Sequence, residues 1–176
     1  LQKYKKFKNF FIVGMGGSIL GSEAIYGFLN NKIKKNFVFI DNIDEFELKQ
    51  INKKYNLNRS LFIVISKSGK TVETISNILT LKIFKKKNKN IIIITEKNNP
   101  LYFKAKKMKL HMVEHKDYIG GRYSVLSEVG MLPSTLMGLN TNKIRKNLLA
   151  PIKRHNISFV TRNIIRLSYF LKNKKM

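Results

Sequence analysis

Four short uninterrupted runs of apolar, mostly β-branched or aromatic residues recur along this chain, at Asn9–Val13, Phe37–Ile40, Leu61–Ile65 and Asn90–Thr95. Runs of this length, without polar alternation and bounded by turn residues, are what strands covered on both faces of a parallel sheet require. A weaker fifth run, Lys109–Glu114, follows them. Helix-compatible spacing fills the gaps over Ser18–Asn30, Asp44–Tyr55 and Thr71–Lys86. Asp44 is placed to cap the second helix, with Glu47 three residues on completing a capping box. Pro100 is placed to open a short helix before the fifth strand, at a first-turn position where its missing N–H does no harm. Five strands alternating with helices predict a three-layer, doubly wound α/β domain, flavodoxin-like, with a five-stranded parallel sheet. Beyond Gly121 the pattern turns helical, with helices expected at Ser124–Val129, Pro133–Asn140 and Ser158–Lys172, the first two separated by Gly130.

The chain's 176 residues suffice for one domain with a real core. We place that domain at 1–140 and a helical segment at 141–176. The formal charge of +25 attracts attention, because basic chains bind phosphate polymers. The excess is nearly all lysine, in short clusters where helices end and strands begin, with no recognition helix and no aromatic-interleaved basic ribbon. That pattern describes a solvated surface and argues against specific nucleic-acid binding. The chain has no cysteine, which removes disulfides and thiolate metal sites and fits a cytoplasmic setting. No run approaches the roughly 20 apolar residues needed to cross a bilayer, so no membrane partner is expected.

Ligands of a doubly wound sheet bind outside the carboxyl ends of its strands, where the chain order reverses. Two loops there carry chemistry. The first, Gly14-Met15-Gly16-Gly17-Ser18, turns tightly and delivers Ser18 to a helix start, where free N–H groups favour an anion. A dinucleotide site is the rival reading, with Asp41 as ribose acid, but its third glycine would have to stand where Ile19 does. The second, Ser66-Lys67-Ser68-Gly69-Lys70-Thr71, brings three hydroxyls and several N–H groups to one helix start, the chemistry for gripping a phosphate monoester. Gly69-Lys70-Thr71 imitates the end of a nucleotide P-loop, which needs glycine where Val64 stands.

His111-Met112-Val113-Glu114-His115 has the spelling of a zinc-peptidase motif that works only on a helix. Here it falls on the fifth strand, which turns Glu114 away from both histidines, and no metal is expected. His155, in a polar stretch, reads as a surface residue. Gly120-Gly121-Arg122-Tyr123-Ser124 closes the strand region and brings Arg122 to the same edge of the sheet, either to stabilise negative charge on a substrate oxygen or to pair with a carboxylate.

Three segments, Gly14–Gly21, Ser66–Thr74 and Gly120–Ser127, resemble in order and spacing the signature segments of the glucose-6-phosphate isomerase family. The first two are shared with the wider sugar-isomerase (SIS) domain superfamily, and the third is particular to the isomerases. The resemblance runs from about Phe10 to about Leu139. It implies an aldose–ketose isomerisation of a hexose 6-phosphate, no metal or organic cofactor, and a homodimer as the complete protein. It places Gly17 and Ser18 against the sugar phosphate, and Ser66, Lys67, Ser68, Gly69, Lys70 and Thr71 in the main phosphate cradle. Arg122 would stabilise the enediolate. The family's glutamate base, its histidine donated across the dimer and its late lysine belong to motifs of a second SIS domain that do not occur here, so the chain reads as a fragment. A phosphosugar-sensing regulatory module and an amino-sugar phosphate isomerase are the alternatives within the superfamily.

Overall fold

A computed structural model describes residues 1–146, 148 and 154–173, with the backbone alone for 154–157. The expected surface reading of His155 therefore lies outside the described side chains. The chain divides into two compact units, Leu1–Leu139 and Asn140–Met176.

The first unit is built on five parallel strands, β1 (Asn9–Val13), β2 (Asn36–Ile40), β3 (Leu61–Ile65), β4 (Ile91–Thr95) and β5 (His111–Glu114), in the order β2-β1-β3-β4-β5. The chain order reverses between β1 and β3, whose residues Phe10–Val13 pair with Leu61–Val64. Helices α1 (Leu20–Leu29), α2 (Glu45–Lys54), α3 (Val72–Thr80), α4 (Pro100–Lys107) and α5 (Glu128–Leu136) cover both faces. Alternate strand residues feed two cores. Phe10, Ile12, Ile63, Ile65 and Ile92 pack with Ile19 and with Val129, Leu132 and Leu136 of α5. Phe11, Val13, Phe62, Val64 and Ile93 pack with Leu48 and Ile51 of α2, Ile78 of α3 and Leu101 and Ala105 of α4. Because both faces are covered, every residue of β3 and β4 is buried, which is why those runs carry no polar alternation. Ile19, where a dinucleotide fold needs glycine, and Val64, where a P-loop does, are both fully buried.

Three expectations need correction. Helix α3 stops at Thr80 rather than Lys86, because Lys82 enters the left-handed region at φ 53°. The Ile83 amide then bonds back to the Ile78 carbonyl (3.3 Å) and the Lys82 amide to Leu79 (2.9 Å), a Schellman ending with lysine where glycine is usual. Second, Gly130 does not separate two helices. Gly121–Leu126 forms a 3-10 segment, Ser127 caps α5, and α5 runs through both Gly130 and Pro133. Proline removes the hydrogen bond that the Val129 carbonyl would receive, and the buried Ser22 hydroxyl of α1 donates to that carbonyl instead (3.3 Å). Third, the capping box is half made. Asp44 accepts from the Phe46 and Glu47 amides, at 2.8 and 3.1 Å. Burial, with Asp44 and Asp41 nearby, pushes the Glu47 carboxyl up rather than holding it as a reciprocal partner.

In the second unit, α6 (Thr141–Arg145) is capped by Asn140, and α7 spans Arg154–Asn173. Among the described residues no helix is long and apolar enough to cross a membrane.

Candidate functional site

Helices begin with N–H groups that lack intrahelical partners, and most proteins cover them with a side chain. Here α2, α4, α5 and α6 are covered, by Asp44, Asn99, Ser127 and Asn140. Helices α1 and α3 are not covered by any side chain. They are the two helices that follow β1 and β3, the strands flanking the reversal of chain order. Their free N–H groups and positive dipole ends therefore converge where a doubly wound sheet binds ligands.

The three hydroxyls of the second loop are not caps. Ser66, buried at the end of β3, donates to Thr71 Oγ1 at 3.1 Å, which leaves the Thr71 hydroxyl hydrogen free to turn outward. Ser68 Oγ accepts from the Lys70 amide (3.2 Å) and keeps its own hydrogen. Gly69 sits at φ 63° with its Cα against Asn99 and Leu101, where an added Cβ would lie 2.9 Å from the Leu101 Cβ. Lys70 is exposed. Lys67 is placed differently from the rest: its ammonium reaches Glu96 Oε1 at 3.3 Å and the Asp117 carbonyl at 2.8 Å, so its charge ties the neighbouring loops together.

Two side chains not anticipated from the sequence hold this loop from behind. Thr95 donates to the Ser66 carbonyl (2.7 Å). Buried Asn99 donates through Nδ2 to the Lys67 carbonyl (3.0 Å), Thr95 Oγ1 (2.8 Å) and the Glu96 carbonyl (3.0 Å), while its Oδ1 caps α4 through the Tyr102 amide. The dipeptide Asn99-Pro100 does signal a helix start. Its reach back to residue 67 depends on the β3–β4 pairing and has no local signature.

The first loop meets the Arg122 segment directly. A Cβ on Gly17 would lie 2.6 Å from the Gly121 carbonyl oxygen and 2.7 Å from the Arg122 amide nitrogen. Ser124 Oγ, donating to the carbonyls of Gly121 (2.6 Å) and Gly17 (3.2 Å), fastens the two together. Val125 seats against Gly21, with a Cβ there only 2.8 Å from the valine side chain, and against Gly130 of α5. The glycines of the first and third segments thus let one backbone lie against the other. Arg122 is exposed beside a cleft of about 540 Å3 that it shares with Gly16 and Gly17. Among the described residues no carboxylate lies within 4 Å of its guanidinium, so the ion-pair reading has no partner here. Ser18 ends the 3-10 turn Gly16–Ser18, two residues before α1.

The histidines separate. His111, at the start of β5, accepts or donates at Nδ1 with the Tyr4 hydroxyl (2.7 Å). His115, just past the other end, bonds Glu128 through Nδ1, and its amide bonds the Thr95 carbonyl at 2.8 Å. Four residues of strand put them ~13 Å apart, too far to share one ion. The buried His115–Glu128 contact instead joins β5 to the start of α5 and closes the base of the loop that carries Arg122.

The fold and these loops define a doubly wound α/β domain of the sugar-isomerase type, with two uncapped helix starts at its switch point. The chain belongs to the phosphoglucose isomerase family, whose profile matches residues 2–164. It is 36% identical over 172 residues to the glucose-6-phosphate isomerase of Borreliella burgdorferi, covering 91% of this chain and 32% of that protein. It is 37% identical over 150 residues to that of Methanocaldococcus jannaschii, covering 82% and 37%. The crystal structure of a glucose-6-phosphate isomerase from Chlamydia trachomatis superposes with a TM-score of 0.61 at 27% identity, over 72% of this chain and 26% of that one. A hypothetical protein from Thermus thermophilus superposes with a TM-score of 0.71 at 26% identity, over 80% and 36%. The chain spans about a third of the length of these curated relatives.

Proposed function

We propose that this chain is the phosphosugar-binding part of a glucose-6-phosphate isomerase, which interconverts glucose 6-phosphate and fructose 6-phosphate. The observation that carries the reading is the pair of uncapped helix starts at the switch point, in a chain whose other described helix starts from α2 to α6 are side-chain capped. A phosphate monoester supplies the acceptors those N–H groups lack. In this reading the phosphate oxygens take the amides at the start of α3 and the outward hydroxyls of Thr71 and Ser68. Ser66 orients Thr71, Gly69 keeps the loop in its left-handed turn, and Lys70 adds charge. Lys67 contributes its main chain, since its ammonium is engaged elsewhere. Gly17 and Ser18 approach from the other side.

Isomerisation removes the proton beside the carbonyl and spreads negative charge over two oxygens. Arg122, exposed beside the cleft it shares with Gly16 and Gly17 and without a carboxylate partner among the described residues, is the group we assign to that charge. The base that moves the proton is assigned, by resemblance, to a second domain, and the complete protein to a homodimer. The 176 residues alone are accordingly expected to bind without turnover. The test is calorimetry with fructose 6-phosphate on this chain and on its Ser66→Ala/Thr71→Ala double variant. Binding should be lost in the variant with its melting transition retained. Undiminished binding would put the phosphate elsewhere.

A further inference from the structure

The opposite edge of the sheet, where the strands begin, holds a second cavity, of about 590 Å3, that the isomerase reading does not use. Lys3, Lys6, Lys87, Lys89, Lys109 and His111 line it, and no carboxylate does. Among the described residues none of these five lysines has a carboxylate within 4 Å. Five ammonium groups around one concavity raise its positive potential, which a multiply charged anion relieves.

Two features separate this cavity from the lysine-rich surface in general. Of the three lysines that hold left-handed backbone among the described residues, two line it, Lys87 and Lys109, at φ 57° and 55°. Lys109 is the second residue beyond α4, in a Schellman ending closed by the Leu110 amide on the Ala105 carbonyl (3.0 Å). Glycine or asparagine fills such positions at less conformational cost than lysine. The Lys87 amide in turn bonds the Met108 carbonyl at 2.8 Å, so the two strained lysines are held beside one another. The second feature is buried and polar. Tyr4, 2% exposed, fixes His111 through Nδ1 at 2.7 Å and stacks on its ring. With the tyrosine donating to Nδ1, the neutral imidazole carries its hydrogen on Nε2, a directed donor among the lysines.

We propose that this cavity binds a compact oligophosphate, an anion of two or more linked phosphate groups. A single phosphate carries about −1.5 to −2 at neutral pH, less than half the positive charge of the rim, whereas three linked groups approach it. The concave shape and the burial of Tyr4 and Phe7 leave no aromatic platform for stacked bases, which favours a small anion over a nucleic-acid strand. Strand length puts the cavity ~15 Å from the Ser66–Thr71 loop, so the two anion sites are distinct.

The experiment is calorimetry of the 176-residue chain with inorganic tripolyphosphate at 150 mM KCl, with ATP as the nucleotide arm. Saturable binding is expected, one-to-one in the Ser66→Ala/Thr71→Ala variant, whose switch-point loop no longer takes phosphate. Lys3→Gln/Lys89→Gln/Lys109→Asn should weaken it roughly tenfold or more, the asparagine keeping the left-handed turn. Lys49→Gln/Lys53→Gln/Lys104→Gln, with the same charge removed from α2 and α4, should leave it within about twofold, as should Ser66→Ala/Thr71→Ala. ATP binding as well as tripolyphosphate would identify the triphosphate as the recognised group; tripolyphosphate alone would restrict the site to the inorganic anion. The proposal is overturned by non-saturable binding, by equal loss in both lysine triples, or by loss in the Ser66/Thr71 variant. A single-stranded oligonucleotide that binds tighter at the same lysines would overturn it too.

Discussion

Asn99 is the residue on which the phosphate loop rests, and replacing it with alanine separates that support from everything the loop does with ligand. Two amide hydrogens of Nδ2 are shared among the Lys67 carbonyl, Thr95 Oγ1 and the Glu96 carbonyl, all within 3.0 Å, while Oδ1 caps α4 at 2.8 Å. Loss of an asparagine cap costs about 1 kcal/mol. The Lys67 carbonyl keeps the Glu96 amide at 3.2 Å, so the orphaned group is chiefly the Glu96 carbonyl. Leaving one buried acceptor unpaired costs about 1–3 kcal/mol. The sum for Asn99→Ala is about 2–4 kcal/mol, measured by equilibrium urea denaturation. Because the hydrogen bonds of the Asn99 side chain go to Lys67, Thr95, Glu96 and Tyr102 and not to the first loop or Arg122, the same variant, still folded, should bind fructose 6-phosphate more weakly through a loosened 66–69 turn. A loss of stability below about 1 kcal/mol, or full stability loss with unchanged affinity, would refute the claim that this side chain shapes the cradle.

Other outcomes follow from the same geometry. Gly17→Ala sets a methyl against the backbone of Gly121 and Arg122, which has no flexible end to yield, so stability should fall by about 1–3 kcal/mol; a neutral effect would mean the two loops are not in contact. In a protein that includes the second domain, Arg122→Ala should lower kcat by about a hundred- to a thousandfold with KM far less affected, and lysine should restore only part; a lower melting temperature with unchanged turnover per folded molecule would make Arg122 scaffolding. Burial, and then Lys3, lower the pKa of His111. The unfolded chain therefore takes up the proton first as pH falls. The stability His111 contributes is complete above its unfolded value of about 6.5 and is lost as pH falls below it. His111→Gln should flatten the dependence of the urea midpoint on pH between 7.5 and 5.5, and identical slopes in the two proteins would contradict this.

The five strands and the two strand-to-helix loops at the switch point are legible in the sequence because their causes are local. An apolar, β-branched run as short as Leu61–Ile65, bounded by turn residues, points to a doubly covered strand, and Asp44 or Pro100 can be read as a helix start in isolation. What was not legible depends on partners far away in the chain. Pro133 stands inside a helix because Ser22, 107 residues before Val129, supplies the donor that the Val129 carbonyl lacks. Gly130 is helical because the Val125 carbonyl lies where its side chain would be. The end of α3 was missed because lysine occupies a turn that glycine usually marks, and the engagement of Lys67 because Glu96 and Asp117 come from two other strand ends. The uncapped state of α1 and α3, on which the functional reading depends, is itself a tertiary fact: Ser66 and Thr71 are both capping residue types, yet they bond each other.

The central claim is that the switch point between β1 and β3 holds the phosphate of a hexose 6-phosphate. Amide chemical shifts of the isotope-labelled chain, followed during titration with fructose 6-phosphate and separately with inorganic phosphate, test it most directly. The account predicts that both ligands move Ser68 to Glu73 most, and that the sugar phosphate alone also moves Gly16 to Ser18 and Gly121 to Tyr123. Shifts confined to the far edge, around Lys87 to Asn90 and Lys109 to His111, or no saturable shift in the Ser68–Glu73 amides, would contradict it.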